Sequence, residues 1–150
     1  MIRAVVDTNV LVSAFINRHG APRHVFDAWR KGEFELVTSA PLLGELNHVL
    51  HRRHIQEKYR LREADILAYL GLLRTRGTLV PMPSLVPSIC SDPMDDRLLA
   101  CAVIAQASYV VTGDNDVRAL GRIGPAQIVT PAAFAAGVLG PWQPALPGLQ

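Results

Sequence analysis

Short apolar, β-branched runs alternate with helical stretches along this chain, and that alternation admits few folds. Strands are expected at Ile2–Val6, Glu33–Val37, Leu79–Pro81, Tyr109–Val111 and Gln127–Val129. Between them the patterns predict helices over Val10–Ile16, His24–Lys31, Ala40–Arg53 and Glu63–Arg76, a helix from Pro93 onward, a helical turn at Asp114–Leu120, and a last helix opening at Thr130-Pro131. Strand-helix alternation implies a mainly parallel sheet of about five strands covered on both faces, a three-layer α/β/α arrangement. In such sheets ligands bind beyond the carboxyl ends of the strands.

Local signals sharpen several boundaries. Asn9 is placed to cap the first helix and Ser39 the third. Asp92 precedes Pro93, and Asp95 falls in the capping-box place, so that helix has a marked start. From Leu98 to Ala107 it is apolar nearly all round and is expected to be buried, yet that stretch is too short to span a membrane. Leu42, Leu46, Val49 and Leu50 make an apolar stripe with Glu45 and His48 beside it. Gly77 stops the helix Glu63–Arg76. Residues 1–138 are expected to form one domain and 139–150 a Pro/Gly-rich tail in which Trp142 has no assigned role.

Composition excludes some classes. Hydrophobic residues make up 49% and charged residues 19%, which suits a globular core and not a disordered chain. The net charge of +2 does not mark the whole chain as a nucleic-acid binder, so any such surface must be local. Cys90 and Cys101 lack CxxC spacing and read as reduced thiols of a cytoplasmic protein, Cys101 in the core. The start MIRAVVDTN is too quickly acidic for a signal peptide.

Four acids carry the chemistry: Asp7, Glu45, Asp96 and Asp114, in VVDTNVLVS, LLGELNHVL, DPMDDRLLA and VVTGDND. Each Asp stands where a strand ends or a helix begins, so the alternation collects all four at one edge of the sheet. Carboxylates gathered there repel one another unless a cation joins them, and a hard divalent ion suits an all-oxygen set. A phosphodiester is the substrate that most often meets such a site.

In these contexts the chain resembles the PIN-domain nucleases from about Ile2 to Ala136. VVDTNVLVSA looks like the family's opening strand and first acid, GEL carries the glutamate, SDPMDDRLLACAV is similar to the third acid at a helix start, and YVVTGDNDV to the last acidic patch. The SDPxDD and TGDxD forms look most like the branch of toxin components of toxin–antitoxin pairs, related to VapC-type toxins. The resemblance implies a Mg²⁺- or Mn²⁺-dependent endoribonuclease, a cognate antitoxin partner and a homodimer. It maps Asp7, Glu45, Asp96 and Asp114 onto the metal-site acids, with Asp116 as an extra ligand, and Thr8, Asn9 and Thr112 onto polar supporting positions.

Other readings stand beside this one. Asp92 and Asp95 read first as capping residues, and Asp116 reads equally as a cap of the turn that follows it. His48, His51 and His54 lack zinc-ligand partners at suitable spacing; with Arg52 and Arg53 they read as a solvated basic face open to RNA phosphates. Arg18, Arg23 and Arg97 are further phosphate candidates. Rival functions are a degenerate PIN-like module that binds RNA or protein without catalysis, and a Mg²⁺ phosphatase of haloacid dehalogenase type. The latter needs a second Asp where this chain has Asn9.

Overall fold

The computed structural model describes residues 1–139. One sheet holds β1 (Arg3–Val6), β2 (Glu35–Thr38), β3 (Thr78–Leu79), β4 (Tyr109–Val111), β5 (Arg122–Ile123) and β6 (Ala126–Val129). Their order is β3-β2-β1-β4-β6-β5. Every neighbouring pair is parallel except β5 with β6. The mainly parallel sheet matches the alternation; the sixth strand does not appear in it. Gly124, at φ +55°, and Pro125 turn the chain back between Ile123 and Ala126, and the two paired positions of β5 are too few to show a period.

Eight helices are described: α1 (Thr8–Ile16), α2 (Ala21–Arg30), α3 (Ala40–Leu50), α4 (Arg53–Tyr59), α5 (Glu63–Arg76), α6 (Pro93–Ile104), α7 (Asn115–Arg118) and α8 (Pro131–Gly137). They cover both faces of the sheet. Successive strand residues point to opposite faces, so Ala4 and Val6 join one core with α1, α2, α5 and α8, while Val5 joins the other with α6. α3 contributes to both, Leu46 to the first and Leu42 to the second. β1 lies between β2 and β4, buried on both sides, which is why its run lacks an exposed alternate.

Four expectations need correction. The single helix over Ala40–Arg53 is two: His51 ends α3, and Arg52 takes an extended conformation before α4 starts. His51 is held there by Asn47 O of α3 and by Glu63, each at 2.7 Å, the second a contact from the later helix α5 that local pattern does not reveal. α2 begins at Ala21 rather than His24, because Pro22 sits in its first turn, where no amide is needed. α6 is not buried all round: Val103 and Ile104 are exposed, and Ala105 ends the helix. Ser39 occupies the cap position of α3 without a side-chain capping bond; its hydroxyl lies against the Cys101 thiol.

Gly77 ends α5 as expected but for a different reason. Its φ of −70° suits any residue. A Cβ there would stand 2.4 Å from Leu73 O, so the tight approach of the chain to its own last turn excludes a side chain. Trp29 is a core residue, packed with Phe26. Leu139, the last described residue, still packs in the core. The expected tail beyond it, with Trp142, lies outside the described residues. No described helix is long and apolar enough to cross a membrane.

Candidate functional site

Asp7 follows the last residue of β1, and its amide donates to Val111 O of β4 at 2.9 Å. Sheet pairing thereby carries Asp7 and Thr112 to the same edge, side by side. The Thr112 hydroxyl donates to Asp7 Oδ2 at 2.6 Å, and Thr112 Oγ1 in turn accepts from the Asp114 amide at 3.0 Å. Asp7, Thr112 and Asp114 are therefore one connected unit, although 105 residues separate the first two.

Two of the acids are also helix caps. Asp7 caps α1: its Oδ1 accepts from Asn9 N at 3.4 Å, and α1 starts at Thr8. The cap expected at Asn9 is thus two residues too late, and Asn9 is an exposed residue inside the helix. Asp114 caps α7 by accepting from Asp116 N at 2.8 Å and Val117 N at 3.3 Å. That role had been open for Asp116, whose own carboxylate is exposed in the first turn. Carboxylates at helix N-termini are stabilised by the unpaired amides and the helix dipole.

α6 brings further acids to the same place. Asp92 caps it through Met94 N, as expected. Asp96 is buried, and its Oδ1 accepts from Ile89 N at 2.9 Å and Cys90 N at 2.7 Å, which ties the loop before α6 to the helix. Asp95 does not close a capping box; its carboxyl accepts no bond from Asp92 N. Instead it stands in the field of Asp114, Asp92, Asp7 and Asp96, and burial together with these charges pushes its pKa up to about 6. Sequence reasoning assigned Asp95 to capping; the pair Asp95-Asp96 was the available signal.

Glu45 is half-buried on α3, one turn after Leu42. Leu42 O accepts the buried Thr8 hydroxyl at 3.4 Å, so Thr8 joins α1 to α3. No described hydrogen bond or ion pair connects Glu45 to the other acids. Cys90, at the mouth of the cluster, has its thiol pKa raised by burial and by Asp96, Asp95, Asp114 and Asp116. Burial also raises Asp7 above its ordinary 3.8, with Asp114 adding to the effect, while the Thr112 and Asn9 bonds pull it back.

These raised values set a sign. An acid whose pKa is higher in the folded state binds its proton more tightly there, so its contribution to stability is greatest below 3.8 and is lost as pH rises through the folded value. For Asp95 the window runs from 3.8 to about 6. In metal-free buffer, Asp95→Asn is expected to match the wild type near pH 4 and to melt progressively higher than it toward pH 7. Thermal melts across that range check this. A constant difference at every pH would show that Asp95 carries no unfavourable charge.

The donor set fits a hard divalent cation. It is all carboxylate oxygen, and its charges are mutually unfavourable without a counter-ion. Among the described residues, no three such side chains already stand close enough together to hold a metal ion. Asp7, Asp114 and the α6 acids would hold it, with Glu45 brought in from α3.

The sequence profile of the PIN domain matches residues 3–116. The chain belongs to the PIN-domain family. The match takes in Asp7, Glu45, Asp96, Asp114 and Asp116, and ends there. An uncharacterized protein of Methanocaldococcus jannaschii, MJ1680, is 29% identical over 119 residues, which cover 79% of this chain and 75% of that protein. A crystal structure of VapBC2 from Rickettsia felis, bound to a DNA fragment from their promoter, contains a chain with the same fold. It aligns with a TM-score of 0.56 at 14% identity, over 86% of this chain and 98% of that one.

The candidate phosphate-binding arginines are dispersed around this PIN domain. Arg53 pairs with Glu57 on the exposed face of α4, and Arg52 is exposed just before it. Arg97 is half-buried on α6 beside Asp96. Arg18 and Arg23 line a cavity at the far end of α1. The two ring nitrogens of His51 meet Asn47 O and Glu63, and these partners raise its pKa, the backbone bond most.

Proposed function

We propose that this PIN domain is a Mg²⁺- or Mn²⁺-dependent endoribonuclease, held in the cytoplasm as the toxin of a toxin–antitoxin pair. The observation that carries the reading is the Asp7–Thr112–Asp114 unit with Asp95 in its field and Asp96 beside Asp95, carboxylates whose charges oppose one another. When bound, a divalent metal activates water and stabilises the departing oxygen of a phosphodiester. The chain's part is positional. Asp7 is fixed by three restraints: its strand, the Thr112 hydroxyl and the Asn9 amide. Asp114 is fixed by the amides of Asp116 and Val117. Preorganised charge of this kind needs no rearrangement during reaction. Water adds to phosphorus, the 3′-oxygen leaves and takes up a proton, and the products are a 5′-phosphate and a 3′-hydroxyl.

Glu45 and Asp116 complete the proposed ligand set, with Thr8, Asn9 and Thr112 supporting. A small antitoxin protein would silence the site, and a homodimer is the proposed assembly. The haloacid dehalogenase reading has less support, because the second Asp it requires is Asn9 here. The test is incubation of the purified chain with single-stranded or looped RNA. Cleavage is expected with Mg²⁺ or Mn²⁺ and none with EDTA. Cutting that persists in EDTA sinks the metal chemistry, and intact RNA under all metal conditions leaves the binding-module reading. If the chain cleaves RNA but its expression alone leaves growth untouched, the toxin reading fails and the nuclease stands.

A further inference from the structure

A second concentration of charge lies away from the acids. A cavity of about 580 Å³ opens among the end of α1, α2, the end of α4, and α5. Five arginines line it, Arg18, Arg23, Arg30, Arg60 and Arg62, against one carboxylate, Asp65. Arg23 is held by Asp27 at 3.1 Å, and Arg62 by Asp65 at 3.0 Å. Arg18, Arg30 and Arg60 are exposed and make no ion pair among the described residues.

The floor of the cavity is aromatic. Tyr69 packs on Phe15 at 4.7 Å and on Phe26 at 5.2 Å between ring centres. Tyr69 and Phe26 are buried and the Tyr69 hydroxyl donates to Leu11 O, so the ring surface open to a ligand is that of half-buried Phe15. Tyr59, 40% exposed, stands at the rim. Guanidinium groups bind phosphate oxygens in pairs, and flat rings stack on bases of any sequence.

We propose that this arginine-lined cavity is a second contact site for single-stranded RNA, taking phosphates and a base outside the cleavage site. The proposal rests on the ribonuclease reading. A carboxylate cluster repels a polyanion, so the strand must be held by cations elsewhere. The chain has 15 Lys and Arg against 13 Asp and Glu, and this one cavity gathers five of the fifteen. α1 joins the two places: Asp7 caps its start, and Phe15 and Ile16 at its end line the cavity. Its nine residues, at about 1.5 Å each, separate them by roughly 13 Å, a span that one short strand covers. An acidic peptide offers carboxylates without a ring at every step. An RNA strand supplies an anion and a flat ring at each residue, which matches arginines above an aromatic floor.

The test is fluorescence anisotropy of a labelled oligouridine in EDTA, where metal-dependent cutting is blocked. The variant is Arg18→Gln with Arg30→Gln and Arg60→Gln, all exposed positions, with its fold checked by melting. Its Kd is expected to rise at least about tenfold, and the slope of log K against log salt to flatten by about two for three lost phosphate contacts. Arg74→Gln, on α5 outside the cavity, is the control and should leave affinity unchanged. Equal RNA affinity in the triple variant and the wild type overturns the proposal. So does an acidic peptide of matched charge that binds through these arginines when RNA does not. A wild type that cleaves RNA beside a triple variant of full affinity fells this site and keeps the nuclease; arginine-dependent binding without cleavage does the reverse.

Discussion

Asp7→Asn is expected to lower metal-dependent RNA cleavage at least about tenfold, as are Asp114→Asn, Asp96→Asn and Glu45→Gln. Each change keeps size and polarity but removes a charge that faces the proposed metal, and a misplaced ion forfeits a large electrostatic contribution. Asp95→Asn should fall with these acids and not with its neighbour Asp92, since it stands in the field of Asp7 and Asp114. Asp92→Asn should do little, because Asn accepts from Met94 N about as well as Asp does. His48→Ala, at an exposed position on α3, should also do little. Single-turnover rates under saturating Mn²⁺ read the series. A loss at His48 equal to that at Asp7 would mean that the ligand set is wrong. Full activity in Asp95→Asn would return that residue to a local role at the helix start.

The contrast between Asp92 and Asp95 shows where sequence reasoning stops. The cap at Asp92 is a local event, set by one side chain and an amide two residues on, and the pattern SDP states it. Whether Asp95 faces the site depends on how α6 is rotated against β1 and β4, which is decided by Leu98, Leu99 and Cys101 packing on Val5 and Val110. A sequence pattern says that a helix has a buried face, not which first-turn acid that docking points inward. The parallel sheet was legible because Ile2–Val6 and Tyr109–Val111 are short β-branched runs ended by polar residues, and α5 was legible to its last residue at Arg76. β5 was not, because two residues are too few to show a period, and the break at His51 was not, because a partner on α5 helps define it. The same limit applies to the arginine cavity. Arg18 and Arg23 attract notice by type alone, but only the packing of α1, α2 and α5 sets Arg30, Arg60 and Arg62 beside them.

Thr112→Val is expected to damage both the site and the fold, and it separates a positioning role from a metal-binding one. Val matches Thr in shape and β-branching, so the packing of this fully buried residue is kept. Two hydrogen bonds vanish together: the one donated to Asp7 Oδ2 and the one accepted from the Asp114 amide. A buried polar group left unpaired costs about 1–3 kcal/mol, so the melting temperature should fall. The hydroxyl bond also opposes the effect of burial on Asp7. Without it the Asp7 pKa should rise further, and the acid limb of the pH–rate profile should move to higher pH. The cleavage rate should fall most at the acid end of the profile, with part of the loss recovered at higher pH as Asp7 ionises. Thr112→Ser, which restores the hydroxyl, should recover the profile even if it melts lower. A profile that stays in place while only stability falls would make Thr112 a packing residue and leave Asp7 to be held by its strand and the Asn9 amide alone.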